Sequence, residues 1–367
     1  MVGRRLSVYN TGDMTGQHQE DAGLIAVRDA HKFDEAALAD YLGGKLDGAT
    51  APMTVQQFHG GQSNPTFVIS FGNDEYVLRK KPPGKLLPSA HAVEREYRVQ
   101  KALAGTGLPL AEMHVLCEDD SIIGTPFYVM ERKRGRVFHE VLMEESTPAE
   151  RGAVYDQMNE CLAILHGVDY QVRGLGDFGK PGSYFTRQVS RWSKQYVGSQ
   201  SRDIPSMDRL IEWMPENLPD DDETTIVHGD FRLGNLMIHP SKPEVIAVFD
   251  WELSTLGHPL ADLGYNMMPY IMKHKGHLGL EGADLATLGI PDIDAYLAAY
   301  CRRAGRPVFD PTFYMAFSLF RSAAIVEGVY ARGVAGNASS SDAQRYGDLT
   351  GPYAERAWSL IEAAGLA

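Results

Sequence analysis

The chain has 367 residues, 44% of them hydrophobic and 23% charged, enough for two domains or one large two-lobed body. Its 48 acidic against 35 basic side chains leave a net charge of −13, which argues against nucleic acid, whose binding needs a basic footprint. No apolar run approaches the ~20 residues of a membrane span, so no membrane partner is expected. Cys117, Cys161 and Cys301 are too few and too scattered for a disulfide or metal framework, and a reducing cytoplasm is the expected setting. Residues 1–10 carry no apolar stretch after Arg4 and Arg5, so no export signal is expected either.

Residues 1–33 lack periodicity and read as a loosely held arm. Asp34 can cap a helix over 35–46, with Leu38, Leu42 and Leu46 on one face. Strands are expected at 54–58, 66–71 and 76–79, the last after the turn Gly72-Asn73-Asp74. Gly60-Gly61-Gln62-Ser63-Asn64 lies between the first two. Glycines let a backbone approach a phosphate and aim N–H groups at it, so Gly60, Gly61, Ser63 and Asn64 are candidate phosphate binders; a bare hairpin turn is the alternative. Strand alternation puts Arg79 and Lys81 on one face and Lys80 on the other. The Arg79 fork can bridge phosphate oxygens and a carboxylate, with Lys81 as rival and a solvated basic patch as the plainer reading.

A helix over 89–104 brings Glu96 as candidate partner for Arg79, with Glu94 as rival. Strands at 113–117 and 127–130 complete a small antiparallel lobe of five strands and one inserted helix, residues 34–132. At Glu131-Arg132-Lys133-Arg134-Gly135-Arg136 the composition turns from strand-rich to helix-rich. The lobe boundary is placed there, and residues 133–367 form a larger, mainly helical lobe. The class is therefore α+β.

Thr147-Pro148-Ala149-Glu150 is a capping box, and Val154, Met158, Cys161, Leu162 and Leu165 form the buried stripe of its helix. Gly174-Leu175-Gly176-Asp177-Phe178-Gly179 matches G-x-G-x-x-G, but a helix precedes it where the dinucleotide fingerprint needs a strand. Residues 177–182 are read as a turn-rich loop. Helices follow at 183–197 and 206–214. Arg187, Arg191 and Lys194 make one basic face on the first, either solvated or set for an anionic acceptor.

Ile226-Val227 then leads into His228-Gly229-Asp230, and Asn235 follows five residues after Asp230. The β-rich run Val245-Ile246-Ala247-Val248-Phe249 delivers Asp250. Phosphoryl transfer from ATP needs this set: one carboxylate at the acceptor hydroxyl, and an amide with a second carboxylate holding Mg²⁺ against the phosphates. The spacing H-x-D-x-x-x-x-N, then a strand and an Asp, is that of the protein-kinase catalytic loop and its metal-binding strand. Asp230, His228 and Arg232 are the catalytic candidates; Asn235 and Asp250 are the metal ligands. Arg79 takes the slot of the kinase strand lysine, and the backbone around Glu131 and Lys133 that of the adenine-reading hinge. Asp262 falls in the first turn of a further helix, where the dipole suits a carboxylate and where it can brace the catalytic loop. His274-x-x-His277 lacks further ligand-spaced partners, so no zinc site is expected. Helices at 291–303, 311–333 and 342–365 close the chain.

With these residues in place, the chain resembles the aminoglycoside phosphotransferase/choline kinase superfamily, small-molecule kinases with a bilobal protein-kinase-like fold. The resemblance spans about residues 35–330 and is most specific at His228-Gly229-Asp230…Asn235 and Asp250-Trp251-Glu252. It is nearest the kinase-like domains fused to acyl-CoA dehydrogenases in animals, through Tyr76-Val77-Leu78-Arg79-Lys80-Lys81-Pro82-Pro83-Gly84 and Asp250-Trp251-Glu252-Leu253-Ser254-Thr255-Leu256-Gly257-His258-Pro259. It implies ATP and Mg²⁺ as cofactors, Asp230 as base, Asn235 and Asp250 on the metal, and Asp262 as the acid that steadies the loop. It also implies a small-molecule hydroxyl acceptor, a 4-hydroxyacyl-CoA in those relatives. Four arginines against five acids from Arg321 to Ala367 weigh against a polycationic antibiotic. Arg79, where many members carry lysine, is the main departure and leaves a nucleotide-binding pseudokinase as the alternative.

Overall fold

A computed structural model describes residues 23–59, 64–83, 91–273, 279–334 and 343–367. In chain order, its elements begin with β1 (Leu24–Ile25), α1 (Glu35–Leu42), β2 (Met53–Phe58), β3 (Thr66–Phe71), β4 (Asp74–Lys80), α2 (Val93–Leu103), β5 (Met113–Cys117) and β6 (Phe127–Glu131). They continue with α3 (Pro148–His166), α4 (Tyr184–Ser199), α5 (Pro205–Glu216), β7 (Thr225–Val227), β8 (Leu236–Ile238), β9 (Val245–Val248) and β10 (Thr255–Gly257). Last come α6 (Pro259–Ile271), α7 (Leu285–Leu288), α8 (Ile293–Arg303), α9 (Thr312–Val334) and α10 (Ala343–Ala363). None of the described helices is long and apolar enough to cross a membrane.

Packing groups these elements into two units. The first runs to Phe138 and takes in Gly234–Ser254; the second comprises His139–Leu233 and Thr255–Ala367.

The first unit is an antiparallel sheet in the order β1-β2-β3-β4-β6-β5 with α1, α2 and the β8–β9 hairpin. Alternation along β3, β4 and β6 sends Phe67, Ile69, Phe71, Leu78, Phe127 and Val129 into one core with Leu38, Leu42 and Leu46. Asp34 caps α1 by accepting from the Ala37 N–H at 2.9 Å. The helix stops at Leu42, short of the expected 46, but Leu46 stays buried. The sheet has six strands, not five. Leu24 and Ile25, read as part of a loose arm, pair with Phe58 and Gln57. Arg28 follows, its N–H donating to the Gln57 side chain at 3.1 Å and its guanidinium to the His59 carbonyl at 2.8 Å. Two paired residues are too short a run for any periodicity to announce.

The second unit is helical, with β7 and β10 as a two-stranded ribbon. Thr147 caps α3, accepting from the Glu150 N–H at 3.2 Å, and Pro148 stands at the first helical position. The stripe Val154, Met158, Cys161, Leu162 and Leu165 is buried as expected. Residues 167–183 form turns after α3, with Leu175 and Phe178 buried, so the glycine pattern follows a helix and not a strand. The four-residue α7 was not anticipated. Cys117, Cys161 and Cys301 are all free and buried.

Candidate active site

In the first unit, β4 and α2 bring two ion pairs together. Arg79 Nε lies 3.0 Å from Glu96 Oε2, and Lys81 Nζ lies 2.9 Å from Glu94 Oε2. The expected Arg79–Glu96 pair forms, while the rival acid Glu94 pairs with Lys81 instead. Lys80 goes to the other face, with its ammonium 5.6 Å from the Phe33 ring and 5.9 Å from Phe67.

Glu96 is 1% exposed. Besides Arg79 it accepts from Asn64 Nδ2 at 2.8 Å and from the Tyr128 hydroxyl at 3.1 Å. Burial pushes its carboxyl up, against the pull of Arg79 and of these two hydrogen bonds. Two hydrogen-bond donors and a neighbouring cation are what a buried carboxylate requires. The Asn64 amide is thus committed to Glu96, and its Oδ1 to His91 at 3.1 Å. Gly60, Gly61 and Ser63 lie outside the described residues, as do His274 and His277.

The β8–β9 hairpin carries the other acids. Phe249 N–H donates to Asn235 O at 2.8 Å, which places Asn235 and Asp250 at one end of the hairpin. Asp250 has φ 64° and ψ 59°, left-handed backbone that residues other than Gly and Asn seldom adopt. Trp251 fixes the turn by donating Nε1–H to the Val248 carbonyl at 2.9 Å. Arg79 Nη2 approaches Asp250 Oδ1 at 3.5 Å and Glu252 Oε2 at 3.9 Å. One guanidinium therefore stands among three carboxylates. Among the described residues no cluster of three or more His, Cys, Asp or Glu is built to hold a metal. An amide and a carboxylate are nevertheless the hard oxygen donors Mg²⁺ takes when nucleotide phosphates and water complete its octahedron.

At the end of β6, Lys133 Nζ pairs with Glu131 Oε1 at 2.7 Å. The Glu131 N–H donates to the Glu112 carbonyl at 2.8 Å, so that backbone donor is already engaged.

In the second unit the loop after β7 is gripped by one face of α6. Asp262 accepts from His228 N–H at 2.6 Å and Gly229 N–H at 2.9 Å. Tyr265 donates its hydroxyl to Asp230 Oδ1 at 2.6 Å, and Asn266 donates to the Phe231 carbonyl at 3.3 Å. Positions 262, 265 and 266 share a face by their i, i+3, i+4 spacing. Gly229 turns the loop at φ 85°, where a Cβ would be strained. Its carbonyl accepts from Arg321 of α9 at 2.7 Å. His228 is fully buried and accepts the Asp230 N–H on Nδ1 at 3.2 Å. Arg232 Nε is 3.4 Å from Asp230 Oδ2. Sequence reasoning found His228, Asp230, Arg232 and Asp262 but missed Tyr265 and Arg321. The spacing of Tyr265 from Asp262 was an available signal; a lone arginine in an apolar helix was a weaker one.

Burial pushes the Asp262 carboxyl up, but the His166 ring 3.6 Å away, the charge of His228 and the Gly229 N–H hold it below its usual value. The stability this carboxylate confers is therefore complete above its unfolded value of about 3.9 and is lost as pH falls through the lower folded value. Asp262→Asn leaves one buried N–H facing an amide instead of an oxygen and should cost about 1–3 kcal/mol at pH 7. In urea titrations the gap between wild type and variant should narrow below about pH 4; a constant gap contradicts the linkage.

Arg321 stands 5.7 Å from the Tyr265 ring and 5.8 Å from Trp192, and Arg191 stands 4.9 Å from Trp192. Burial pushes the Tyr184 hydroxyl up, and the charges of Arg321, Arg191 and Arg187 pull it back. Arg187 itself is spent on local structure, donating to the Lys180 carbonyl at 2.6 Å and to that of Gly182. Lys194 is exposed. The basic face read from the sequence therefore divides, with Arg191 set against the Trp192 ring.

An antiparallel sheet region followed by a helical region, with H-x-D-x-x-x-x-N after β7 and an acid after β9, is the kinase-like fold of the aminoglycoside phosphotransferases. Residues 54–317 match the model of the phosphotransferase enzyme family, and the chain belongs to that family. Acyl-CoA dehydrogenase family member 10 of Mus musculus is 48% identical over 343 residues, 92% of this chain but 32% of the relative. The chain thus spans about a third of the curated relative it matches. A solved structure of a candidate aminoglycoside phosphotransferase from Ralstonia eutropha is 48% identical, with TM-score 0.84, over 90% of this chain and 99% of that one. A thermostable variant of aminoglycoside phosphotransferase APH(4)-Ia, held with ADP and hygromycin B, is 16% identical with TM-score 0.55 over 90% and 98% of the two chains, a likeness of fold alone.

Proposed function

We propose that the chain transfers the γ-phosphoryl group of ATP to a hydroxyl of a small molecule, with Mg²⁺. The observation that carries this reading is the Asp230 carboxylate, held by Tyr265 and Arg232 on a loop pinned through Asp262. Phosphoryl transfer passes through a loose transition state, so its catalysis is mainly positioning and charge neutralisation. A loop tethered at each of its successive residues suits that demand.

In this reading Asp230 orients the acceptor hydroxyl and accepts its proton. Asn235 and Asp250 hold Mg²⁺, which supplies charge neutralisation on the phosphates when bound. Arg79, kept in place by Glu96, contacts phosphate oxygens in place of the lysine of other kinases. Gly60, Gly61 and Ser63 cradle the phosphates, and the backbone beside Glu131 and Lys133 reads the base. Asn64 takes a supporting part through Glu96. Three free cysteines suit a reducing compartment such as the cytoplasm.

For the acceptor we propose an anionic hydroxylated metabolite, a 4-hydroxyacyl-CoA above all. Arg321 at the loop and Arg191 on the Trp192 ring that Arg321 also meets support it, as does the acyl-CoA dehydrogenase name of the mouse relative. An aminoglycoside or choline wants the opposite charge. The closeness of Arg79 to Asp250 favours one second reading, a domain that binds nucleotide without transferring phosphate.

Labelled ATP offered with 4-hydroxyacyl-CoAs, choline, a hydroxylated amino acid, a sugar and a kanamycin-type aminoglycoside tests the assignment. Label should appear on the acyl-CoA and vanish with Asp230→Asn. Nucleotide bound with no ADP formed on any acceptor, or in water, selects the second reading.

A further inference from the structure

Asp230 has two oxygens, and the structure treats them differently. Oδ1 takes the Tyr265 hydroxyl at 2.6 Å; Oδ2 has Arg232 Nε at 3.4 Å. An aspartate's last torsion is broad, so an untethered carboxylate exchanges its oxygens freely. Tyr265 sits on the same helical face as Asp262 and Asn266, which hold the backbone on either side of Asp230. Its ring is in turn braced by Arg321, whose guanidinium lies 5.7 Å from it while clamping the Gly229 carbonyl at 2.7 Å. A short hydrogen bond to a carboxylate, on a ring fixed by its neighbours, is a strong orienting contact.

Resting on the reading of Asp230 as the base, we propose that Tyr265 is a positioning residue that, through its short hydrogen bond to Oδ1, fixes the plane of the Asp230 carboxylate toward the acceptor hydroxyl. In the step, the acceptor oxygen bonds to the γ-phosphorus and its proton passes to the Asp230 carboxylate. The bond from the γ-phosphorus to the bridging oxygen breaks, and its electron pair leaves with ADP. Tyr265 gives up no proton; it keeps Oδ1 occupied and the carboxylate plane fixed throughout. Misplacing a reacting group by about 1 Å can cost on the order of 10²-fold, and loss of one tether from a loop otherwise intact should cost less.

The test is a double-mutant cycle on the full chain, read as ADP release from Mg-ATP with the acceptor identified by the panel, or with water as acceptor. Tyr265→Phe keeps the ring and removes the hydroxyl. It should lower kcat about tenfold with KM for ATP unchanged and melting temperature held, and it should add nothing in the Asp230→Asn background, since residues acting as a unit are non-additive. Unchanged kcat in Tyr265→Phe, or the same fold-loss in both backgrounds, overturns the proposal. Full activity in Asp230→Asn is a different outcome: it removes the base itself, and with it the reading on which this inference stands.

Discussion

Asp230→Asn is expected to lower kcat by about 10²–10⁴-fold, the usual worth of a positioned general base. The substitution is isosteric, so its effect is chemical. The amide oxygen it introduces can still accept from Tyr265, and the loop keeps its tethers from Asp262, Asn266 and Arg321. What is lost is the carboxylate charge beside Arg232, and with it the proposed proton acceptor. Nucleotide affinity should hardly change, because binding before the chemical step does not use that proton acceptor. Stopped assays of labelled phosphate transfer, beside calorimetric binding of ADP, separate the two quantities. Turnover within about threefold of wild type would falsify the role given to Asp230.

The second large effect concerns Asp250→Asn. Asparagine tolerates the left-handed backbone at φ 64° almost alone among polar replacements, so the turn should survive where alanine would strain it. The variant removes one of the three carboxylates near Arg79 and half of the proposed Mg²⁺ donor set. ADP binding by calorimetry should then lose its dependence on Mg²⁺, and turnover should fall about 10³-fold, the several kcal/mol a bound divalent ion contributes to the transition state. Mg²⁺-enhanced ADP binding in Asp250→Asn equal to that of wild type excludes Asp250 as a ligand.

Both residues were legible in the sequence because their signal is covalent. Four residues separate Asp230 from Asn235, and a short β-rich run precedes Asp250, whatever the rest of the chain does. Strand alternation set Arg79 and Lys81 apart from Lys80, and the following helix offered Glu96 or Glu94; tertiary packing then gave one acid to Arg79 and the other to Lys81. Asn64 shows the opposite. Its neighbourhood of glycines suggested a phosphate, yet its side chain is spent on Glu96 and His91, partners far along the chain. Tyr265 and Arg321 escaped notice for the same reason: each acts through a contact more than 30 residues away in sequence, on a helix whose pattern advertises only burial. The sheet's outermost strand escaped because two residues carry no period.

The discontinuity of the first unit bears on any attempt to divide this protein. Its first segment ends at Phe138, but the hairpin that completes the unit arrives about a hundred residues later in the chain. Arg136 exchanges backbone hydrogen bonds with Ile238 at 2.7 Å each way, and Val248 N–H reaches the Pro109 carbonyl at 3.0 Å. A Cβ on Gly135 would collide with the Ile238 carbonyl. A fragment cut after Phe138 keeps Glu96 and Arg79 but loses Asp250 and Glu252, and it strips Arg136 and Pro109 of their backbone partners. The sheet half of this molecule is therefore not a portable cassette: excising or grafting it requires both pieces of chain, rejoined by a linker that stands in for the excluded helices.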